Sequence, residues 1–183
     1  MNNTQQPQVS SQEGLSRGCD KSDYDFYIHS DGSGHLDHLG GFGAVVSSVR
    51  YSPLAYEPVA GCCTQTETGR AEFLAILSAL HAIVDVMQWD KTSQIQSLMM
   101  SRPTVKIISD REDLVGSINN VYSRKRNGDL WQQFAWYERI FQIDAQHVKR
   151  ATDATHDIAD TVASEMRLVL WDYMHTQQDS KII

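Results

Sequence analysis

The spacing of hydrophobic residues along the chain changes near residue 67. Before this point, short apolar stretches alternate with polar residues and are separated by glycine and proline, which is typical of strands joined by turns. After it, apolar residues recur every three or four positions, which indicates a helix with one buried face. The pattern predicts strands at residues 24–31, 42–51 and 59–66, close enough in sequence to form an antiparallel meander.

Helices and strands alternate in the second half of the chain. The first helix is predicted to begin at Thr68, whose hydroxyl would cap it, with Glu72 in its first turn, where a carboxylate suits the helix dipole. A strand follows at 105–109, then helices at 114–121 and 130–140, a strand at 143–148 and a helix at 157–173. This order predicts an α/β fold, with a five-stranded mixed sheet (an antiparallel meander plus parallel strands) flanked by helices.

We expect one domain, from residue 23 to residue 175, in a chain of 183 residues. Residues 1–22 are rich in glutamine, asparagine and serine and have few apolar side chains to bury, which predicts a disordered tail. Residues 176–183 are expected to form a short C-terminal tail.

The chain shows no signal for export or membrane insertion. No apolar run approaches the roughly 20 residues of a membrane span, and residues 1–12 lack the basic start and apolar stretch of a signal peptide. The three cysteines have neither the even number of a disulfide framework nor the spacing of a zinc ribbon. We therefore expect a cytoplasmic protein without a membrane partner, and we expect it to be a monomer.

The distribution of charge bears on a nucleic-acid partner more than its sum does. The net charge is −7, whereas phosphate binding relies on lysine and arginine. Basic residues nevertheless outnumber acidic ones between residues 121 and 150, and the reverse holds from residue 151 to the end. A local basic surface beside an acidic site is compatible with nucleic-acid binding.

Four acidic residues stand at the ends of predicted elements. Asp31 and Asp110 end strands, while Glu72 and Asp160 lie in the first turns of helices. Ligands of open α/β sheets gather outside the strand ends, and carboxylates that converge there repel one another unless a cation intervenes. Oxygen ligands of this kind select Mg²⁺ or Mn²⁺. Each acid alone is equally typical of a turn or a helix start, so the inference depends on their joint occurrence.

The order of these motifs resembles that of type 1 ribonucleases H. An aspartate–glycine–serine turn at Asp31 precedes a glycine-rich second strand, and an arginine lies two residues before Glu72. The resemblance extends from residue 24 to residue 170 and implies the ribonuclease H-like fold. The segments that carry it are 27–33, 40–45, 68–76, 107–110, 129–131 and 147–149, followed by Asp160.

The resemblance also implies an activity, namely metal-dependent endonucleolytic hydrolysis of the RNA strand of RNA–DNA hybrids. Two Mg²⁺ ions, or Mn²⁺ in their place, would activate a water and stabilise the leaving oxygen. The implied catalytic residues and metal ligands are Asp31, Glu72, Asp110 and Asp160. The implied substrate-binding residues are Gly32, Ser33, Gly69, Arg70, Arg124, Lys125, Arg126 and Trp131.

Two segments depart from the family pattern. Many members carry a long basic insertion where this chain has only residues 119–128, so Arg124 to Arg126 are either the remaining phosphate contacts or a solvated charged turn. The loop before the last helix lacks the family's histidine at its usual place. His156 lies four residues before Asp160, where the family usually has an asparagine, and it either serves in proton transfer or caps the helix.

Two other functions are compatible with the same fold. One is a non-catalytic ribonuclease H-like subunit that binds or supports a larger nucleoprotein assembly. The other is a nuclease specific for DNA structures. The glycine-rich first hairpin favours the hybrid as substrate, and the presence of all four carboxylates argues against a non-catalytic role.

Overall fold

The computed structural model describes residues 24–34, 38–48, 57–64, 66–89, 102–150 and 152–179. The predicted N-terminal tail and residues 180–183 lie outside this part of the chain. The strands are β1 (Phe26–Gly34), β2 (Gly40–Ser47), β3 (Glu57–Cys63), β4 (Thr104–Ser109) and β5 (Gln142–His147). The helices are α1 (Thr68–Trp89), α2 (Glu112–Ile118), α3 (Gly128–Ile140) and α4 (Ala154–Asp179).

The strands form one five-stranded sheet in the order β3-β2-β1-β4-β5. β1 pairs with β2, and β2 with β3, in antiparallel orientation. β4 pairs in parallel with β1, and β5 pairs in parallel with β4. The predicted α/β fold with a mixed sheet is therefore confirmed. Because β1 and β4 run in the same direction, their carboxyl ends, which carry Asp31 and Asp110, lie at the same edge of the sheet.

One face of the sheet packs against α1. Phe26 and Ile28 of β1 are fully buried and belong to the same core as Phe73 and Ile76 of α1. Burying each of these side chains contributes about 1.5–3 kcal/mol. The helix also comes close to the strand backbone, because a Cβ atom at Gly32 would lie 2.2 Å from the amide nitrogen of Glu72. Glu72 is thereby fixed beside the end of β1.

The other face of the sheet carries α4. A Cβ atom at Gly41 would lie 2.0 Å from the carbonyl oxygen of Ala163, and one at Gly43 would lie 2.6 Å from that of Ala159. The helix backbone therefore lies directly on β2 and meets it at these two glycines. Gly43 stands opposite Asp31 in the β1–β2 register. This contact brings the first turns of α4 to the strand end that carries Asp31.

Several helix ends differ from the sequence-based predictions. The carbonyl of Glu67 accepts the amides of Arg70 and Ala71, so Thr68 lies inside α1 rather than capping it, and Glu72 falls beyond the first turn. α4 begins at residue 154, before the predicted start at residue 157, because the Asp153 side chain caps it.

The predicted end of the domain at residue 175 falls inside α4, which continues to residue 179. No proline or glycine interrupts residues 174–179, so nothing in the sequence breaks the helix earlier. None of the helices in the described ranges combines the length and the apolar character that a membrane crossing requires.

Candidate metal centre

The four predicted acids come together at one edge of the sheet. Asp31 lies in β1, Asp110 directly after β4, Glu72 in α1 and Asp160 in α4. The charge of Asp31 interacts with those of Asp110 and Asp160, and the charge of Glu72 interacts with those of Asp31 and Asp110. We call these four residues the acidic cluster.

Two members of the acidic cluster are removed from water. The exposed fraction is 3% for Asp31 and 1% for Glu72. Glu72 accepts a hydrogen bond of 2.8 Å from the hydroxyl of Ser109, whereas Oδ2 of Asp31 has no hydrogen-bond partner among the described residues. Burial, together with the neighbouring Asp160 and Asp110, raises the pKa of Asp31 to about 7. Burial and the charge of Asp31 raise the pKa of Glu72 well above its ordinary value.

One arginine offsets part of this negative charge from the solvent side. Arg150, which follows β5, donates a hydrogen bond of 2.9 Å to Oδ1 of Asp160, and its Nε lies 3.9 Å from Oδ2 of Asp110. The carboxyl of Asp31 and the guanidinium of Arg150 hold the pKa of Asp160 below its ordinary value. Arg150 is not among the site residues predicted from the sequence, in which it is one of the basic residues between positions 121 and 150.

His156 completes a set of three ligand atoms. Asp31, Asp110 and His156 each offer one atom, and these atoms lie within 4.8 Å of one another. Glu72 and Asp160 lie outside this set. The backbone amide of His156 donates to the carboxylate of Asp153, so Asp153 caps α4 and the interpretation of His156 as the cap is wrong.

The acidic cluster opens into a cleft of about 570 Å³. Its lining includes three of the acids, Asp31, Glu72 and Asp110, together with Arg111 and Arg150. A buried carboxylate oxygen without a partner, surrounded by further carboxylates, is an arrangement that a divalent cation satisfies. The residues present therefore fit the metal that the sequence analysis expects.

The predicted glycine and serine contacts do not all line this cleft. Gly32 lines it. Ser33 accepts a hydrogen bond of 3.1 Å from Nε of Arg167 on α4. Gly69 lies so close to Arg111 that a Cβ atom there would be 2.6 Å from the guanidinium carbon. Arg70 donates two hydrogen bonds to Asp129, at 2.9 and 2.5 Å, so its charge is already paired.

The basic turn before α3 divides into two kinds of residue. The guanidinium of Arg124 pairs with both carboxylate oxygens of Glu138, at 3.0 and 2.6 Å, and lies 4.4 Å from the ring centroid of Trp131. Trp131 is buried and contacts Phe73 and Phe134. Lys125 and Arg126 are exposed and form no ion pair with the residues that the structure describes.

A second cavity of about 300 Å³ lies beside the cleft. It shares Arg111, Asp113 and Tyr122 with the cleft, so the two cavities are adjacent. Its lining also includes Arg70, Lys125 and Arg126. Arg70, Arg111 and Arg124 are already paired with carboxylates, so Lys125 and Arg126 are the cations of this lining that form no ion pair with the described residues.

Comparison with known proteins identifies the fold. No protein-family profile matches the chain, and no curated protein matches it in sequence. Among solved structures, the chain is similar to the N-terminal RNase H domain of a Mycobacterium tuberculosis protein, with a TM-score of 0.65 at 17% identity over 82% of this chain and 99% of that one.

Two further solved structures lead to the same result. LC11-RNase H1 in complex with an RNA/DNA hybrid gives a TM-score of 0.59 at 19% identity, over 76% of this chain and 94% of that one. RNase H1 from the halophilic archaeon Halobacterium salinarum gives a TM-score of 0.55 at 17% identity, over 77% of this chain and 96% of that one. The chain therefore has the ribonuclease H-like fold.

Proposed function

We propose that this protein is a metal-dependent endonuclease of the ribonuclease H type, which hydrolyses the RNA strand of RNA–DNA hybrids. The observation that carries the proposal is the acidic cluster, because four carboxylates, two of them buried, share one edge of a sheet with this fold. Carboxylates that are brought together out of water cost free energy unless protons or a cation neutralise them, and a bound divalent cation meets this need. The hybrid bound to LC11-RNase H1 supports the choice of substrate.

The residues of the chain divide the work between metal binding and substrate binding. Asp31, Glu72, Asp110 and Asp160 would hold two divalent ions, Mg²⁺ or Mn²⁺. Such ions, when bound, supply an activated water and stabilise the leaving oxygen. Ser109 orients Glu72 through its hydrogen bond. Because the pKa of Asp31 is raised to about 7, this carboxyl must release a proton before it can serve as an anionic ligand near neutral pH.

Substrate binding would use the cations along the two cavities. Lys125 and Arg126, which form no ion pair with the described residues, line the second cavity, and Arg111, which is paired with Asp113, lines both cavities. These positions suit contact with successive phosphates of a nucleic-acid backbone. Gly32 lines the cleft, where its backbone groups could reach the 2′-hydroxyls that distinguish RNA from DNA, and Ser33 follows it in β1.

The direct test is cleavage of end-labelled substrates. We expect cuts within the RNA of a hybrid at many sequences, leaving 3′-hydroxyl ends, and little cutting of duplex DNA or duplex RNA. Each substrate is tested with Mg²⁺ and with Mn²⁺, and a chelator serves as the negative control. Cutting of branched DNA without hybrid cleavage would instead identify a DNA-structure-specific nuclease.

A non-catalytic module is the second candidate, and the contact of Arg150 with Asp160 favours it. A guanidinium that already offsets the acidic cluster lowers the need for a bound metal. Hybrid binding without cleavage, with either metal, would support this candidate.

The expected monomeric state and the cytoplasmic location stay predictions.

A further inference from the structure

His156 is a buried imidazole without a hydrogen bond. Its exposed fraction is 1%, and neither ring nitrogen has a partner among the described residues. A buried polar group without a partner costs about 1–3 kcal/mol, so such groups are rare unless a ligand or ion satisfies them. The ring nitrogens therefore need a partner that the described residues do not supply.

The ring of His156 faces the acidic cluster. Its Nε2 lies 4.0 Å from Oδ2 of Asp110, which is too long for a hydrogen bond. One ligand atom from each of Asp31, Asp110 and His156 forms a set in which all three atoms lie within 4.8 Å of one another. The 4.0 Å between Nε2 of His156 and Oδ2 of Asp110 is no more than twice a metal–ligand bond of about 2.0–2.2 Å, so one ion could bind both atoms.

The position of His156 is fixed by its helix. Asp153 caps α4 through the amides of Thr155 and His156, and the helix is seated on β2 at Gly43. The imidazole is therefore held at the site before any ion binds. Preorganised ligands of this kind lower the ordering cost of metal binding.

The donor chemistry of this set differs from that of an all-carboxylate site. Carboxylates and water suit Mg²⁺, which binds nitrogen poorly, whereas an imidazole nitrogen favours first-row transition metals. Two carboxylates and one neutral imidazole also balance the charge of a divalent ion. We propose that His156 is a direct metal ligand, and that Asp31, Asp110 and His156 form a mixed oxygen–nitrogen site that prefers Mn²⁺ over Mg²⁺. The inference rests on the metal centre of the proposed function.

Spectroscopy of bound Mn²⁺ tests the ligand directly. We expect electron spin echo measurements on the full chain to show coupling of Mn²⁺ to a ¹⁴N nucleus. The coupling should disappear in His156→Asn, which introduces the residue usual in the ribonuclease H family, and persist in the matched control His81→Asn. His81 is an exposed histidine of α1, with a side chain 66% exposed.

Calorimetry of the metal-free protein tests the preference. His156→Asn should weaken Mn²⁺ binding about 10-fold or more, as expected for loss of a ligand group. Mg²⁺ binding should change by less than about 3-fold, since oxygen ligands dominate it. The control His81→Asn should bind both ions like the parent protein. Circular dichroism verifies folding, and His156→Gln serves as a second variant if His156→Asn is unfolded.

The outcomes separate this inference from the proposed function. Hybrid cleavage with no nitrogen coupling in the parent protein would overturn the role of His156 and leave the ribonuclease intact. Nitrogen coupling without cleavage of any hybrid would support the metal site and contradict the ribonuclease. Absence of Mn²⁺ binding, or equal losses of Mn²⁺ and Mg²⁺ affinity in His156→Asn, would also overturn the inference.

Discussion

The acidic cluster and the group of aromatic residues beside it differ in whether their charged side chains are paired within the protein. Phe73, Trp131 and Phe134, which we call the aromatic cluster, are covered by Arg124. The guanidinium of Arg124 pairs with two oxygens of Glu138, so its charge is satisfied within the protein. In the acidic cluster, carboxylates repel one another, and Oδ2 of Asp31 has no partner among the described residues.

The contrast distinguishes charges that support the fold from charges that serve a ligand. Glu72 and Phe73 are adjacent in sequence, yet they belong to different clusters with different energetics. A charge that is paired and packed on a ring stabilises the folded state. A group of like charges destabilises it until an external ion binds.

The largest effect is expected from the acidic cluster itself. Asp110→Asn should reduce hybrid cleavage by more than about 100-fold, because one charge of the metal site is lost. The metal-free variant should melt at a higher temperature than the parent protein, since repulsion with Asp31 and Glu72 is relieved. Labelled-hybrid assays and thermal unfolding in chelator measure the two effects.

Asp85→Asn is the matched control, since Asp85 is an exposed aspartate of α1. It should leave cleavage and melting temperature unchanged. Cleavage by Asp110→Asn at the parental rate would show that the metal centre is wrongly assigned.

The pH dependence of stability is a second, smaller effect of the same cluster. The pKa of Asp31 rises from its ordinary value of 3.8 to about 7 in the folded protein, so the folded state binds this proton more tightly than the unfolded state. Stability of the metal-free protein should therefore fall as pH rises from about 4 to about 7. Denaturant unfolding in chelator across this range measures the slope, which Asp31→Asn should reduce. A parental slope in Asp31→Asn would contradict the raised pKa.

A substitution at the aromatic cluster should lower the stability of the protein and leave its catalytic rate nearly unchanged. Arg124→Gln removes the pair with Glu138 and the contact with Trp131, and we expect it to lower the free energy of unfolding by about 1–2 kcal/mol. Cleavage at saturating hybrid should stay within about 2-fold of the parent. A large loss of catalytic rate without a loss of stability would show that Arg124 contacts the substrate, as the sequence alone suggested.

The smallest effect is expected from the exposed cations of the same turn. A Lys125→Gln and Arg126→Gln double variant should keep the parental stability, because neither side chain is buried. Hybrid binding should weaken several-fold. The slope of log K against the logarithm of the salt concentration should become less steep by about 1–2. Fluorescence anisotropy over a series of salt concentrations measures both. An unchanged salt dependence would place the phosphate contacts elsewhere.

The sequence predicted the sheet and the elements that carry the four acids, because both follow from local patterns. Strand periodicity and turn residues place Asp31 and Asp110 near the carboxyl ends of β1 and β4. The predicted end of β1 at Asp31 is wrong, because the next three residues also pair with β2 and the strand ends at Gly34. Parallel addition of β4 to β1 then brings the two aspartates together. Burial of Glu72 was not predictable in this way, since it depends on how closely α1 approaches Gly32.

The partners of the charged side chains could not be read from the sequence. Arg124 and Glu138 are 14 residues apart, on different elements, and only packing of α3 brings them together. Arg124 therefore looked like its exposed neighbours Lys125 and Arg126. The orientation of His156 likewise depends on the cap at Asp153.

The seating of α4 on the two glycines of β2 has a consequence for mutational surveys of this protein. Gly43 stands opposite Asp31, and the missing Cβ atom sets the height at which α4 carries His156 and Asp160 over the strand. A single methyl group added at Gly43 would push α4 away from the sheet. The distance between the ligands on β1 and those on α4 would then increase. A survey scored by activity would therefore rank Gly43 with the catalytic residues, although it has no side chain with which to do chemistry.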